Sequence, residues 1–291
     1  MYKNVYLIVN PASGADFPIL AVANRVFKKH KVNWEVFVTH KRGDAEKFAR
    51  SAMLNNTDIV IAYGGDGTIM EVARGLATSD IPLMVVPGGT ANVLAKDLAI
   101  PQSPLAALEL IDPTLHKVIK LDTFTCNGKP YLIRINAGVF ADFIIKTKRK
   151  TKDTFGSFAY ALTMLTNMDK KESRYKMIVD GKKLTWTGVG LMIANIGSIG
   201  FGGMSVFPEI EAEDGSLDVI LLKDTDVATL TSFAADVVLK RHATTLKHTK
   251  GKKISLVIEP SQLLVFDDEK GKGNSLEVEI VPRSLNVIVP K

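Results

Sequence analysis

Tyr63-Gly64-Gly65-Asp66-Gly67-Thr68 is the stretch on which the reading of this chain turns. It follows an apolar run, Asp58-Ile59-Val60-Ile61-Ala62. It precedes Ile69-Met70-Glu71-Val72-Ala73-Arg74-Gly75-Leu76, which reads as a helix. Strand, glycine-rich turn and helix in that order favour an anion site. Glycine has no β-carbon to block the approach of backbone to a phosphate. The first N–H groups of the helix lack partners within it and lie at its positive end. Asp66 would repel a phosphate directly. It fits as a holder of a ribose hydroxyl or of a magnesium ion riding on phosphates, or as a plain helix cap in a tight turn. No Gly-Lys-Ser/Thr follows, so this is not a Walker loop, and the Gly-x-Gly-x-x-Gly of dinucleotide folds is absent.

Upstream and downstream the same grammar repeats. An apolar strand over 5–9 runs into Asn10-Pro11-Ala12-Ser13-Gly14, and a helix is expected over 17–30. A strand over 34–38 ends at Thr39, and a helix follows over 44–54. A fourth strand over 82–86 leads into Pro87-Gly88-Gly89-Thr90-Ala91-Asn92 and a helix reaching 98. Four strand–helix alternations predict a parallel sheet with right-handed crossovers. Ligands of such sheets bind at the carboxyl edge, where three of these polar turns fall.

After residue 117 strand-like runs dominate, at 118–125, 131–139, 175–179, 184–194, 217–223, 254–258, 263–266, 276–281 and 285–289. Only 154–167 and 226–240 read as helical. Short strands with Gly and Asp turns predict an antiparallel sandwich or barrel. The expected domains are 1–117 with about 283–291, and 118–282, with ligand bound in the cleft between them.

Composition narrows the classes. With 46% hydrophobic and 23% charged residues the chain is globular in type. No apolar run is long enough to span a bilayer, and the start enters a strand pattern at once, so no signal peptide is expected. A single cysteine, Cys126, excludes an intramolecular disulfide and fits a cytoplasmic protein. The formal net charge of +6 is concentrated in basic runs at 28–31, 146–152 and 247–253. Such runs suit an anionic membrane surface. They lack interleaved aromatics or a nucleic-acid motif, so no nucleic-acid partner is expected. The five histidines show no metal-ligand spacing and read as surface residues. Trp34 and Trp186 read as core residues.

Asn10-Pro11 with Ser13-Gly14, then Gly64-Gly65-Asp66-Gly67-Thr68 with Glu71, then Gly89-Thr90-Ala91-Asn92 with Leu94-Ala95, resemble the diacylglycerol kinase catalytic-domain family, in its soluble bacterial lipid kinase type. The central turn is shared with NAD kinases and phosphofructokinases; the combination is specific to the lipid kinases. The resemblance covers essentially the whole chain. It implies an α/β nucleotide-binding domain of NAD-kinase/phosphofructokinase type and an antiparallel β-sandwich, with the last strand returning to the first domain. It implies an ATP-dependent, magnesium-dependent kinase for a lipid alcohol of diacylglycerol or sphingosine type, transiently bound to membrane. Oligomeric state stays open, a homodimer included. ATP would be held by Asn10, Ser13, Gly14, Thr39, Gly64, Gly65, Asp66, Gly67, Thr68, Glu71, Gly89, Thr90 and Asn92. Asp267-Asp268-Glu269 stands where the family has Asp-Gly-Glu. That makes Asp267 and Glu269 the candidates for proton acceptor, with Asp66 as the third catalytic residue. Glu211-Ala212-Glu213-Asp214-Gly215-Ser216-Leu217-Asp218 resembles the family's Asp-Gly-x-Leu-Asp segment, where some bacterial members hold a structural magnesium ion through one Asp and two neighbouring carbonyls; this implies a site at Asp214, with Glu211 and Ser216 as secondary positions. Met70, Val93 and Asp268 depart from the family's usual Asn, Asp and Gly. Two other readings are an NAD kinase and a non-catalytic nucleotide or lipid binder of the same fold.

Overall fold

The computed structural model describes residues 2–13, 17–149, 171–197, 210–226, 228–232, 246–267 and 269–291. They divide into two units, Met1–Asp122 with Arg283–Lys291, and Thr123–Pro282.

The first unit is built on β1 (Asn4–Val9), β2 (Asn33–Val38), β3 (Ile59–Gly64) and β4 (Leu83–Pro87), joined by α1 (Ile19–His30), α2 (Asp44–Ala52) and α3 (Asp66–Leu76). All pairings are parallel: Val5 lies beside Trp34 and Ile59, and Val60 beside Leu83. Every residue of β3 and β4 is buried, because helices cover both faces of a parallel sheet. At the edge, β2 stays half open, with Val36 41% exposed. The helices bury one stripe each: Ala23, Val26 and Phe27 from α1, and Ala45, Ala49 and Ala52 from α2. After β4 come α4 (Val93–Asp97) and α5 (Pro104–Leu108). The sequence reading missed α5, although Ser103 before Pro104 is a helix-start signal.

The second unit holds β5 (His116–Cys126, shared with the first), β6 (Lys129–Tyr131), β7 (Arg134–Gly138), α6 (Val139–Arg149), β8 (Ser173–Val179), β9 (Lys182–Gly188), β10 (Gly190–Ala194), β11 (Leu217–Leu222), β12 (Leu246–Gly251), β13 (Lys253–Phe266) and β14 (Glu269–Pro290). Its pairings are antiparallel: β12–β11–β10–β7–β13–β14, with β8 on β13 and β9 on β8. Inner positions such as Tyr175, Met177, Ile193, Val219, Leu256 and Val278 make its core. The alternation in β8, buried at 173, 175, 177 and 179, marks a strand with one face inward. The end of β14 enters the first unit, where Val287 and Ile288 pair in parallel with Leu83 and Met84.

Five expectations need correction. Residues 184–194 are divided between two strands, β9 and β10, which pair with different partners. Residues 254–258 and 263–266 are one strand, β13, with a register shift between Val257 and Gln262. Residues 276–281 and 285–289 are one strand, β14; Pro282 and the positive-φ Arg283 (φ 52°) look like a break but lie within it. The stretch beginning at Val139 is a helix, not the end of a strand. Val139 and Phe143 lie one turn apart and pack with Val189, Leu222 and Leu230. His116 is not a surface residue: it is 7% exposed, and its Nδ1 lies 3.0 Å from the Asp112 carbonyl. The expected helix over 154–167 and residues 233–240 of the one over 226–240 lie outside the described residues.

Both tryptophans are partly buried. Trp186 packs against the second unit's core, and Trp34 meets Phe27 edge-on at 5.4 Å. Burial, with Glu277 nearby, pushes the Cys126 thiol up to about 12. That leaves it inert as a nucleophile at neutral pH.

Candidate active site

Because the strands of the first unit are parallel, β1, β2, β3 and β4 all end on one edge of the sheet. Along that edge, in the sheet order β2-β1-β3-β4, therefore come Thr39, Asn10, Gly65 and Gly88. Hydrogen bonds tie the turns together. The Asn10 side-chain amide donates to Thr68 Oγ1 at 2.9 Å, and its backbone N–H donates to the Tyr63 carbonyl at 3.0 Å. The Asn10 side-chain oxygen accepts the Ala12 N–H at 3.0 Å, bending the chain directly after the strand. Ser13 Oγ accepts the Gly65 N–H at 3.2 Å. Thr39 donates its N–H to the Val9 carbonyl at 2.9 Å.

The third and fourth turns lock through Asp66. Its Oδ1 accepts the Val93 N–H, the first of α4, at 2.6 Å. Asp66 thus caps a helix, but α4 rather than its own α3. A carboxylate has capacity for about four hydrogen bonds, so a cap does not exhaust it. Asn92 is in the left-handed region (φ 48°). Its side chain exchanges two hydrogen bonds with Gly89, both 3.0 Å, and donates to Gln102 at 3.2 Å. The two turns nearly touch: a β-carbon on Gly89 would lie 2.6 Å from Gly65 Cα. Only glycine permits this approach, and it leaves a shallow cradle of backbone at the start of α3. Backbone at the start of a helix is a setting that suits an anion. Thr68 is buried, Thr90 is exposed, and Gly67 is half-buried at the rim. Gly14 lies outside the described residues.

Glu71 braces the turn after β2. It is 8% exposed, and its two oxygens accept the Gly43 and Ala45 N–H groups at 2.9 and 3.2 Å. It holds the start of α2, which no side chain of the preceding turn caps. Nearby, the His40 and Lys41 backbone N–H groups hold the Asp44 carboxyl below its usual value. These two acids shape the turn after β2, where Thr39 sits.

The carboxylates expected as proton acceptors lie in the second unit, at the hairpin joining β13 to β14, where Phe266 pairs with Glu269. Asp267 is 7% exposed with φ 50°. Its carboxylate accepts three backbone N–H groups, from Leu132 at 3.0 Å, Ile133 at 2.8 Å and Arg134 at 2.9 Å. Three such donors stabilise the ionised form and fix the oxygens in space. Glu269 is half-buried at the start of β14. Asp268 lies outside the described residues.

At the expected structural magnesium site both Asp214 oxygens already hold donors. Asp214 Oδ1 accepts the Ser216 N–H at 2.9 Å and its hydroxyl at 2.7 Å, and Asp214 Oδ2 accepts Lys250 Nζ at 2.9 Å. Among the described residues no group of three His, Cys, Asp or Glu side chains could hold a metal. The sequence reading overlooked Lys250 and His248 here. A signal was present: Asp218 is the one charged residue of β11, an otherwise apolar and wholly buried strand. Also among the described residues, no helix is long and apolar enough to cross a membrane.

Comparison with known proteins agrees with this architecture. Residues 4–126 match the diacylglycerol kinase catalytic domain, and residues 134–289 match the YegS C-terminal NAD kinase β-sandwich-like domain. The chain is 27% identical to a diacylglycerol kinase of Bacillus subtilis (strain 168), covering 99% of this chain and 97% of that one. It is 29% identical to a protein of Xanthomonas axonopodis pv. citri named "Probable lipid kinase YegS-like", over 98% of this chain and 95% of that one. The crystal structure of a diacylglycerol kinase from Bacillus anthracis (strain Sterne) superposes with a TM-score of 0.78 at 25% identity, covering 99% of this chain and 97% of that one. An α/β catalytic domain followed by a β-sandwich, both matched nearly end to end, place this chain in the diacylglycerol kinase/YegS-like family of lipid kinases.

Proposed function

We propose that the protein transfers the γ-phosphoryl group of magnesium-bound ATP to a hydroxyl of a lipid of diacylglycerol or sphingosine type. The observation that carries this is the carboxyl edge of the first unit, where the Asn10, Gly65 and Gly89 turns are bonded into one glycine-lined cradle at a helix start. Phosphoryl transfer needs cradled phosphates, a divalent ion to spread charge, and an acceptor for the hydroxyl proton. In this reading Asn10, Ser13, Gly64, Gly65, Gly67, Thr68, Gly89, Thr90 and Asn92 surround the phosphates, and Thr39 borders the nucleotide. Asp66, while capping α4, would hold the nucleotide's magnesium. Magnesium, when bound, neutralises charge on the phosphate oxygens.

The lipid oxygen forms a bond to the γ-phosphorus as the bond to the ADP oxygen breaks. The hydroxyl proton passes to the Asp267/Glu269 pair. In a loose transition state that proton leaves late, so a well-placed carboxylate of modest basicity suffices. The three N–H groups that fix the Asp267 carboxylate support this role.

The lipid and the membrane surface belong to the same proposal. The net charge of +6 favours an anionic bilayer. The basic run at 146–152 begins in the last turn of α6, and residues 150–152 lie outside the described residues. The test is labelled ATP with a panel of lipid alcohols in mixed micelles, with NAD as a further acceptor. Labelled phospholipid is expected. Label on NAD alone, or ATP binding with no product on any lipid, would overturn the proposal.

A further inference from the structure

In the second unit β11 reads Leu217-Asp218-Val219-Ile220-Leu221-Leu222, and all six residues are buried. A carboxylate there is expensive unless a cation faces it. The register supplies one. Asp218 lies directly opposite Lys250 of β12, and His248 lies opposite Ile220. His248 Nε2 is 2.5 Å from Asp218 Oδ1. Lys250 Nζ is 2.9 Å from Asp214 Oδ2 and 3.6 Å from Asp218 Oδ1. Asp218 Oδ2 is buried with no hydrogen-bond partner, so the field of nearby cations must compensate it. One ammonium therefore serves two carboxylates, one on the turn and one in the strand.

We propose that in this chain the Lys250 ammonium replaces the structural divalent ion, bridging Asp214 and Asp218 so that the second unit folds without metal. Its position follows from strand pairing: a residue opposite Asp218 on the same sheet face has to meet it. A divalent ion on Asp214 Oδ2 would need a bond of about 2.0–2.6 Å, to the oxygen that already holds the ammonium. Two like charges would then share one carboxylate oxygen. Burial works against the charge on Lys250, but the Asp214 hydrogen bond and the field of Asp218 outweigh it and hold the ammonium above its ordinary value.

The test is thermal unfolding of the full chain without nucleotide, in chelator and in millimolar magnesium or calcium chloride. The wild-type midpoint is expected to agree within about 1 °C across these conditions. Lys250→Met, which leaves two carboxylates facing each other, is expected to lower it by about 3–8 °C, with part of the loss restored by magnesium. Lys250→Arg is expected to stay close to wild type without metal. A wild-type midpoint that falls in chelator and returns with magnesium would overturn the proposal, and this arm reads out even if Lys250→Met does not fold. A Lys250→Met protein that melts with the wild type and ignores magnesium would overturn it as well.

Discussion

Gly89 is the residue whose size matters most to the cradle. Its missing β-carbon would lie 2.6 Å from the Gly65 backbone and 2.9 Å from Asn92 Oδ1. Gly89→Ala must push the two turns apart, and displacements of that kind cost about 100-fold in rate when they misplace a reacting group. The expected outcome is a KM for ATP raised at least about tenfold with the fold intact. Gly273→Ala, where a β-carbon meets nothing within 4 Å, is expected to change neither KM nor stability. The two candidate acids should separate by what each one holds. Asp267→Asn puts an amide before three N–H donors, so it is expected to lose turnover and about 1–3 kcal/mol of stability together. Glu269→Gln is expected to lose turnover with an unchanged melting curve. Urea unfolding alongside the lipid assay distinguishes these outcomes, and full turnover in both variants would remove the pair from the mechanism.

Among the elements, α2 and α3 are the pair that shapes the nucleotide edge from behind. Gly75 of α3 lets the helices approach so closely that a β-carbon there would lie 2.6 Å from Ala49 Cβ. Glu71 of α3 caps the start of α2 through the Gly43 and Ala45 N–H groups. Glu71→Gln leaves one acceptor for two buried donors. The expected loss is about 1–3 kcal/mol, seen as faster amide exchange over 43–49. Its effect on KM for ATP should be smaller than that of Gly89→Ala, because Glu71 touches the turn after β2 and not the cradle. A KM change as large as that of Gly89→Ala would show instead that Glu71 meets the nucleotide.

For the whole molecule, Cys126 offers a probe of opening. It is 3% exposed, and its thiol is pushed up to about 12 by burial and by Glu277. Both effects keep the thiolate scarce in the native protein. Labelling by a thiol reagent at neutral pH is expected to track unfolding of the second unit, with no reaction in native buffer and one thiol per chain in denaturant. Fast labelling of native protein would show that this core opens locally.

The α/β grammar, the glycine turns and their common edge were legible in the chain alone. They rest on local rules: apolar runs of strand length, small residues in turns, and strands that must run parallel when helices connect them. The same rules fail where a partner is distant in sequence. Asp267 reads as a candidate proton acceptor, and nothing local in the chain shows that it also clasps the backbone at 132–134. Glu71 reads as a nucleotide contact, and nothing local in the chain shows that it caps another helix. Asp214 reads as a metal ligand, yet it faces a lysine more than thirty positions away. Composition and spacing determined which fold this protein adopts and which edge gathers the glycine turns. Which donor meets which carboxylate was decided by strand register and helix packing, because a buried charge takes whatever partner the tertiary structure brings within hydrogen-bonding distance.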